Sequence, residues 1–133
     1  MSKVLAPACR AGTTTDPGTE DNPDSWNEWA WGVNTAGGTT HPVGQKKPNP
    51  WGLYDMHGNV CEWCADWYGP YSSAEQTDPT GAASGRTRVL RGGSSGEYLH
   101  RTRSAARLGS KPEDRDDYKG LRCVVVVGGA SGR

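Results

Sequence analysis

Hydrophobic positions along this chain follow no long helical period. The clearest apolar run is residues 121–127, Leu-Arg-Cys-Val-Val-Val-Val; its β-branched residues predict a strand buried on both faces. A second strand is expected over residues 86–91, where Val89 and Leu90 lie among arginines. It ends on Gly92-Gly93-Ser94, where the backbone can take shapes closed to other residues. Val4 and Leu5 predict a short strand at most. Trp26, Trp29 and Trp31 show no sustained period and read as core anchors on irregular chain, or as carbohydrate-stacking faces. A single helical turn is expected around Cys64, Asp66, Trp67 and Tyr68, stopped by Gly69-Pro70. Residues 16–25 and 71–85 are polar, Gly/Pro-rich loops, residues 128–133 form a frayed tail, and His41 reads as a packed or hydrogen-bonded side chain.

The densest information lies in residues 49–63, Asn-Pro-Trp-Gly-Leu-Tyr-Asp-Met-His-Gly-Asn-Val-Cys-Glu-Trp. Trp51, Leu53, Tyr54, Met56 and Trp63 surround two turn glycines, Gly52 and Gly58, which predicts core built from bending chain. Asp55 and Glu62 flank the Gly58-Asn59 turn. A chain doubling back there brings both carboxylates and the carbonyls between them towards one point, the donor set that hard cations such as calcium take. The same residues also suit a plain Asx turn, in which Asp55 and Asn59 only bond neighbouring backbone.

Composition narrows the class. With 133 residues, one-third of them hydrophobic, the chain is at most one domain with a thin core, burying about two-thirds of its unfolded surface. Nineteen glycines and nine prolines exceed what helices accept, while six tryptophans and five tyrosines replace the absent phenylalanines. An irregular, loop-rich fold is therefore expected. Net charge is zero, but residues 1–85 carry four Lys/Arg against ten Asp/Glu, and residues 86–133 eleven against five. No basic block with interleaved aromatics occurs, so no nucleic-acid binding is expected. No apolar run is long enough to span a bilayer and no signal sequence opens the chain, so no membrane association and a cytoplasmic location are expected.

Five short motifs occur in order: Ala8-Cys9-Arg10-Ala11-Gly12, residues 49–63, Arg88-Val89-Leu90-Arg91-Gly92-Gly93-Ser94, Arg103-Ser104-Ala105-Ala106-Arg107, and Gly120-Leu121-Arg122. Together they resemble the formylglycine-generating enzyme family, also called sulfatase-modifying factors. The resemblance implies an α+β, C-type-lectin-like fold with little regular secondary structure. It further implies one partial domain over residues 1–133, with core motifs in 8–127 and the family's N-terminal half truncated.

By the same resemblance, Asp55 and Glu62 are side-chain ligands of a structural calcium, and Gly58 and Val60 donate carbonyls to it. The family's oxidative chemistry needs a pair of cysteines shortly after Gly-Gly-Ser to bind copper(I), which soft thiolates suit. Here that segment is Ser95-Gly96-Glu97-Tyr98-Leu99-His100-Arg101-Thr102; it holds no cysteine, so copper is not expected. Ser94 matches an active-site serine of the family but brings neither base nor metal, so no catalytic residue is assigned. The resemblance would also pair Cys9 with a cysteine at the position of Ser104, and Cys123 with one in the missing half. Cys61 and Cys64 form a Cys-x-x-Cys without a second pair at zinc-ribbon spacing, and all four thiols are expected to be free.

The expected function is a degenerate, non-catalytic family member acting as a calcium-stabilised binding or interaction module with a protein or peptide partner. The alternatives are a formylglycine-generating oxidase and a ligand-display domain like the variable proteins of diversity-generating retroelements. Loss of the N-terminal half is expected to leave the strand over 121–127 as an exposed edge, open to self-association.

Overall fold

The computed structural model describes residues 2–14, 25–71 and 81–125. Helix α1 (Ser2–Arg10) opens the chain, correcting the strand expected at Val4-Leu5. Those two residues are too few to decide a conformation by themselves; docking does, because α1 lies against the central sheet and its end is tied down. The buried Asn49 side chain donates to the carbonyls of Ala8 at 2.6 Å and Cys9 at 3.2 Å, groups that a helix C-terminus leaves unsatisfied. The helix then stops at Ala11 and Gly12, both at positive φ.

Short pieces follow: α2 (Trp26–Trp29), β1 (Ala30–Trp31) and α3 (Val33–Ala36). Trp26 is buried as an anchor. His41 is packed as expected, its ring stacked 3.8 Å from that of Trp31 and its Nε2 3.0 Å from the Ala36 carbonyl.

Strand β1 pairs in parallel with β2 (His57–Gly58). The central sheet has the order β5-β4-β3-β6, built from β3 (Cys61–Trp67), β4 (Arg88–Arg91), β5 (Leu108–Ser110) and β6 (Lys119–Gly120). Strand β4 runs antiparallel to β3 and β5, and β6 parallel to β3. The expected strand around Val89 and Leu90 is thus its core: both are at least 97% buried. The helical turn expected at residues 64–68 is instead the second half of β3. Pairing to β4 overrides local propensity, with a register shift between Trp63 and Trp67 absorbing the irregularity.

The strand expected over 121–127 is also corrected. Residues 121–125 belong to no strand, Leu121 and Val125 are exposed, and Val126 and Val127 lie outside the described residues. The parallel pairing to β3 ends at Gly120, and the chain then leaves the sheet to lay Arg122 over Glu62. Likewise, Trp51 and Tyr54 are exposed rather than core, while Met56 is buried.

Residues 49–63 join these parts mainly through backbone hydrogen bonds. Gly58 donates to Gly92 at 2.7 Å, Asn59 to Trp31 at 2.9 Å, and Cys61 to Tyr118 at 2.7 Å, while the Asn59 carbonyl accepts from Ser95 at 2.9 Å. The Asn59 side chain closes a two-way bridge with the backbone of His41. Gly58 must be glycine, because its φ is +80° and a Cβ would sit 2.0 Å from the Trp31 carbonyl oxygen.

Candidate functional site

The four residues expected to hold a cation lie together. Asp55, Gly58, Val60 and Glu62 line one cavity of about 410 Å³ with Asn59 and Arg122. Asp55 and Asn59 both adopt positive φ, the tight doubling-back that the sequence predicts. Asp55 Oδ2 accepts from the Gly44 amide at 2.7 Å, whereas Asp55 Oδ1 is buried with no hydrogen-bond partner. A buried carboxylate oxygen left unpaired is costly, and a cation would satisfy it.

Glu62 is 8% exposed. Burial pushes its carboxyl pKa up, the Arg122 guanidinium pulls it back down, and the nearby Asp55 raises it further. Arg122 was not assigned a role from sequence. Its Nε donates to Glu62 Oε1 at 2.8 Å and its Nη2 to the carbonyls of Tyr54 and Asp55 at 3.0 and 3.1 Å. The arginine therefore bridges the two ends of the loop and supplies part of the positive charge that the carboxylates need. No three His, Cys, Asp or Glu side chains gather into a metal-holding group among the described residues, so a cation here depends on backbone carbonyls beside its two carboxylates. The donor set is all oxygen, which fits calcium and not a soft metal.

The thiol region is built differently. Ser94, Ser95 and Thr102 are buried hydroxyls behind the Gly92-Gly93 turn. Gly93 is required there: its φ is +70° and a Cβ would meet Thr102 at 2.7 Å. The thiol brought to Ser94 is that of Cys61, which shares a hydrogen bond with it. Burial, reinforced by Glu97 and Asp116, pushes this thiol up to about 12. Cys64 is pushed up to about 11, again chiefly by burial, and it senses Arg91, Asp66 and Glu62 instead. The two cysteines thus sit in different surroundings. None of the four cysteines, all described, forms a disulfide. Cys9 and Ser104 line a common internal space of about 10 Å³, where a thiol and a hydroxyl stand in place of the bridge that the resemblance would imply.

A further buried group escaped the sequence reading. The His57 ring has Nδ1 2.8 Å from the Thr102 carbonyl and Nε2 3.3 Å from Cys9 Sγ, with Trp26 edge-on at 4.8 Å. It is a polar hub of the core. No sequence signal marks it, since one histidine between Met56 and Gly58 could equally be exposed.

A loop-built α+β sheet holding an acidic oxygen cradle defines the class, and comparison with known proteins gives the family. The model of the sulfatase-modifying factor enzyme 1-like domain matches residues 7–127; the chain belongs to this family. It is 42% identical over 100 residues to a formylglycine-generating enzyme of Streptomyces coelicolor, covering 69% of this chain and 32% of that one. Among solved structures, variable protein 1 of Treponema denticola superposes with TM-score 0.84 at 33% identity, covering 91% of this chain and 44% of that one. PvdO from Pseudomonas aeruginosa superposes with TM-score 0.76 at 30% identity, covering 90% and 49%. The C-type-lectin-like fold is therefore as expected. The chain spans about a third of the length of the curated enzyme and under half of the two solved neighbours. Among the described residues no helix is long and apolar enough to cross a membrane.

Proposed function

We propose that this chain is a non-catalytic member of the sulfatase-modifying factor family, a calcium-stabilised module that binds a protein or peptide partner. The observation that carries this reading is the segment that follows Ser94. Copper(I) chemistry needs a pair of thiolates; residues 95–102 offer none, and the thiol beside Ser94, Cys61, is a single buried one contributed by β3. Hydroxyls without a neighbouring base cannot take over that role.

Calcium would be held by Asp55 and Glu62 with the carbonyls of Gly58 and Val60. When bound, it supplies a structural cross-link and no chemistry. The unpaired Asp55 Oδ1 supports this assignment. The ligand-display reading ranks below it. Tyr98 and Tyr118 are exposed within 95–118, but Ser95 and Thr102 in the same segment are fully buried and serve packing.

The test is mass spectrometry of a Cys-x-Pro-x-Arg peptide incubated with the protein, copper(I) and oxygen. The expected result is unchanged peptide. Conversion of the cysteine thiol to an aldehyde would overturn the reading and restore the oxidase.

A further inference from the structure

We propose that a second cavity, beneath the C-terminal end of α1 and beside β4, binds a small organic carboxylate with an apolar or aromatic body. The cavity measures about 530 Å³, within the range of small-molecule sites, and Arg10, Arg91, Trp51, Tyr71 and Pro7 line it. It shares no lining residue with the Asp55 cavity.

Arg91 carries the inference. Its side chain belongs to a residue only 9% exposed, yet its hydrogen-bond partners among the described residues are all neutral. Nη1 donates to the carbonyls of Ser104 at 3.1 Å and Ala106 at 3.3 Å, Nη2 reaches the Tyr71 hydroxyl at 3.4 Å, and Nε is buried without a partner. No ion pair joins Arg91 to a carboxylate among the described residues. A guanidinium taken this far out of water without a counter-charge is unfavourable, and an anion entering the cavity would relieve it.

Arg10 lies close by. Its Nε donates to the Ser104 hydroxyl at 3.0 Å, so Ser104 anchors both guanidiniums, one through its side chain and the other through its carbonyl. Arg107 adds a third positive charge, stacked 3.8 Å over the Tyr71 ring. The surrounding segment is basic as well: residues 86–107 contain six arginines and one glutamate.

The rest of the lining selects the ligand's body. Trp51 is 60% exposed and Tyr71 70%, so both offer flat faces to a solute; Pro7 and Ala105 add apolar wall. Guanidinium forks match a carboxylate's two oxygens, and aromatic walls suit a planar apolar group. A fully hydrated inorganic anion would use the charge and waste the walls.

Benzoate is the probe, followed by calorimetry and by saturation-transfer NMR, with benzamide as its uncharged counterpart and acetate as its headgroup alone. Benzoate should bind saturably, with benzamide and acetate each about tenfold weaker or more. Arg10→Gln and Trp51→Ala, both at exposed positions, should each weaken benzoate about five- to tenfold while far-UV circular dichroism stays that of the parent. Arg91→Lys is a third variant, but Arg10→Gln decides the matter if it does not fold. The proposal is overturned if benzoate fails to saturate below about 10 mM, if benzamide binds equally well, or if folded Arg10→Gln binds as the parent does.

Discussion

Replacing Gly58 with alanine tests how the loop of residues 49–63 holds the fold together. Gly58 has φ +80°, which costs an L-residue about 1–2 kcal/mol. Its new Cβ would stand 2.0 Å from the Trp31 carbonyl oxygen and 2.6 Å from the carbonyl carbon. Both are backbone atoms and cannot swing aside, so relief means parting β1 from β2, at about 1–3 kcal/mol for overpacking. That movement also stretches the bonds from Gly58 to Gly92 and from Asn59 to Trp31, each contributing about 0.5–1.5 kcal/mol. Together these give about 3–8 kcal/mol, comparable to the whole stability of a domain of this size, about 5–15 kcal/mol. Gly52 is the control: its φ is +75° and nothing lies within 4 Å of its Cβ, so Gly52→Ala should cost only the backbone share of about 1–2 kcal/mol. Urea unfolding followed by tryptophan fluorescence compares the two. If Gly58→Ala falls within about 1 kcal/mol of Gly52→Ala, the close approach of β1 and β2 is not what holds this loop.

Three further outcomes are expected. Iodoacetamide at pH 8 should modify Cys123, which is exposed, and spare Cys9, Cys61 and Cys64, which are buried; modification of Cys61 at the rate of Cys123 would contradict the buried, protonated thiol beside Ser94. Because the folded-state pKa of Cys61 is raised to about 12 and that of Cys64 to about 11, the stability they contribute is fully present below the unfolded thiol range near pH 9. It is lost as pH rises towards those folded values, so Cys61→Ala and Cys64→Ala should each flatten the alkaline fall in melting temperature, and an equally steep fall in both would sink the assignment. Val125→Lys should change stability by no more than about 0.5 kcal/mol, since Val125 is 82% exposed; a loss above about 2 kcal/mol would place it in a packed strand after all.

The sequence is most legible where a residue's geometry is nearly forced. Gly58 and Asn59 bend the chain at positive φ as the sequence predicts, Gly58 doing so at the end of β2, and Asp55 and Glu62 line one cavity beside that bend. Val89 and Leu90 declared a buried strand. Legibility fails where long-range contact outweighs local preference. Residues 64–68 read as a single helical turn stopped by Gly69-Pro70, yet pairing to β4 on one side and β6 on the other makes Cys61–Trp67 the centre of the sheet. Residues 121–125 have strong β-propensity and no strand, because the ion pair of Arg122 with Glu62 takes the chain away from the sheet. Arg122 itself shows the same limit: no local pattern tells that a residue 60 positions away in sequence supplies the counter-charge of Glu62. The buried charge of Arg91 is equally silent, since its burial depends on carbonyls contributed by Ser104 and Ala106.

The most direct test of the calcium-stabilised module is thermal unfolding of the chain with and without calcium, repeated for Asp55→Ala and Glu62→Ala. A ligand held only by the folded state adds about 2.7 kcal/mol at a hundred times its dissociation constant, a rise of several degrees for a domain of this size. The account predicts that rise in the parent chain, saturating with calcium, smaller with magnesium, whose rigid octahedral demand suits this loop less, and absent in both variants. A melting temperature indifferent to calcium in the parent, or a rise that survives Asp55→Ala undiminished, would contradict it.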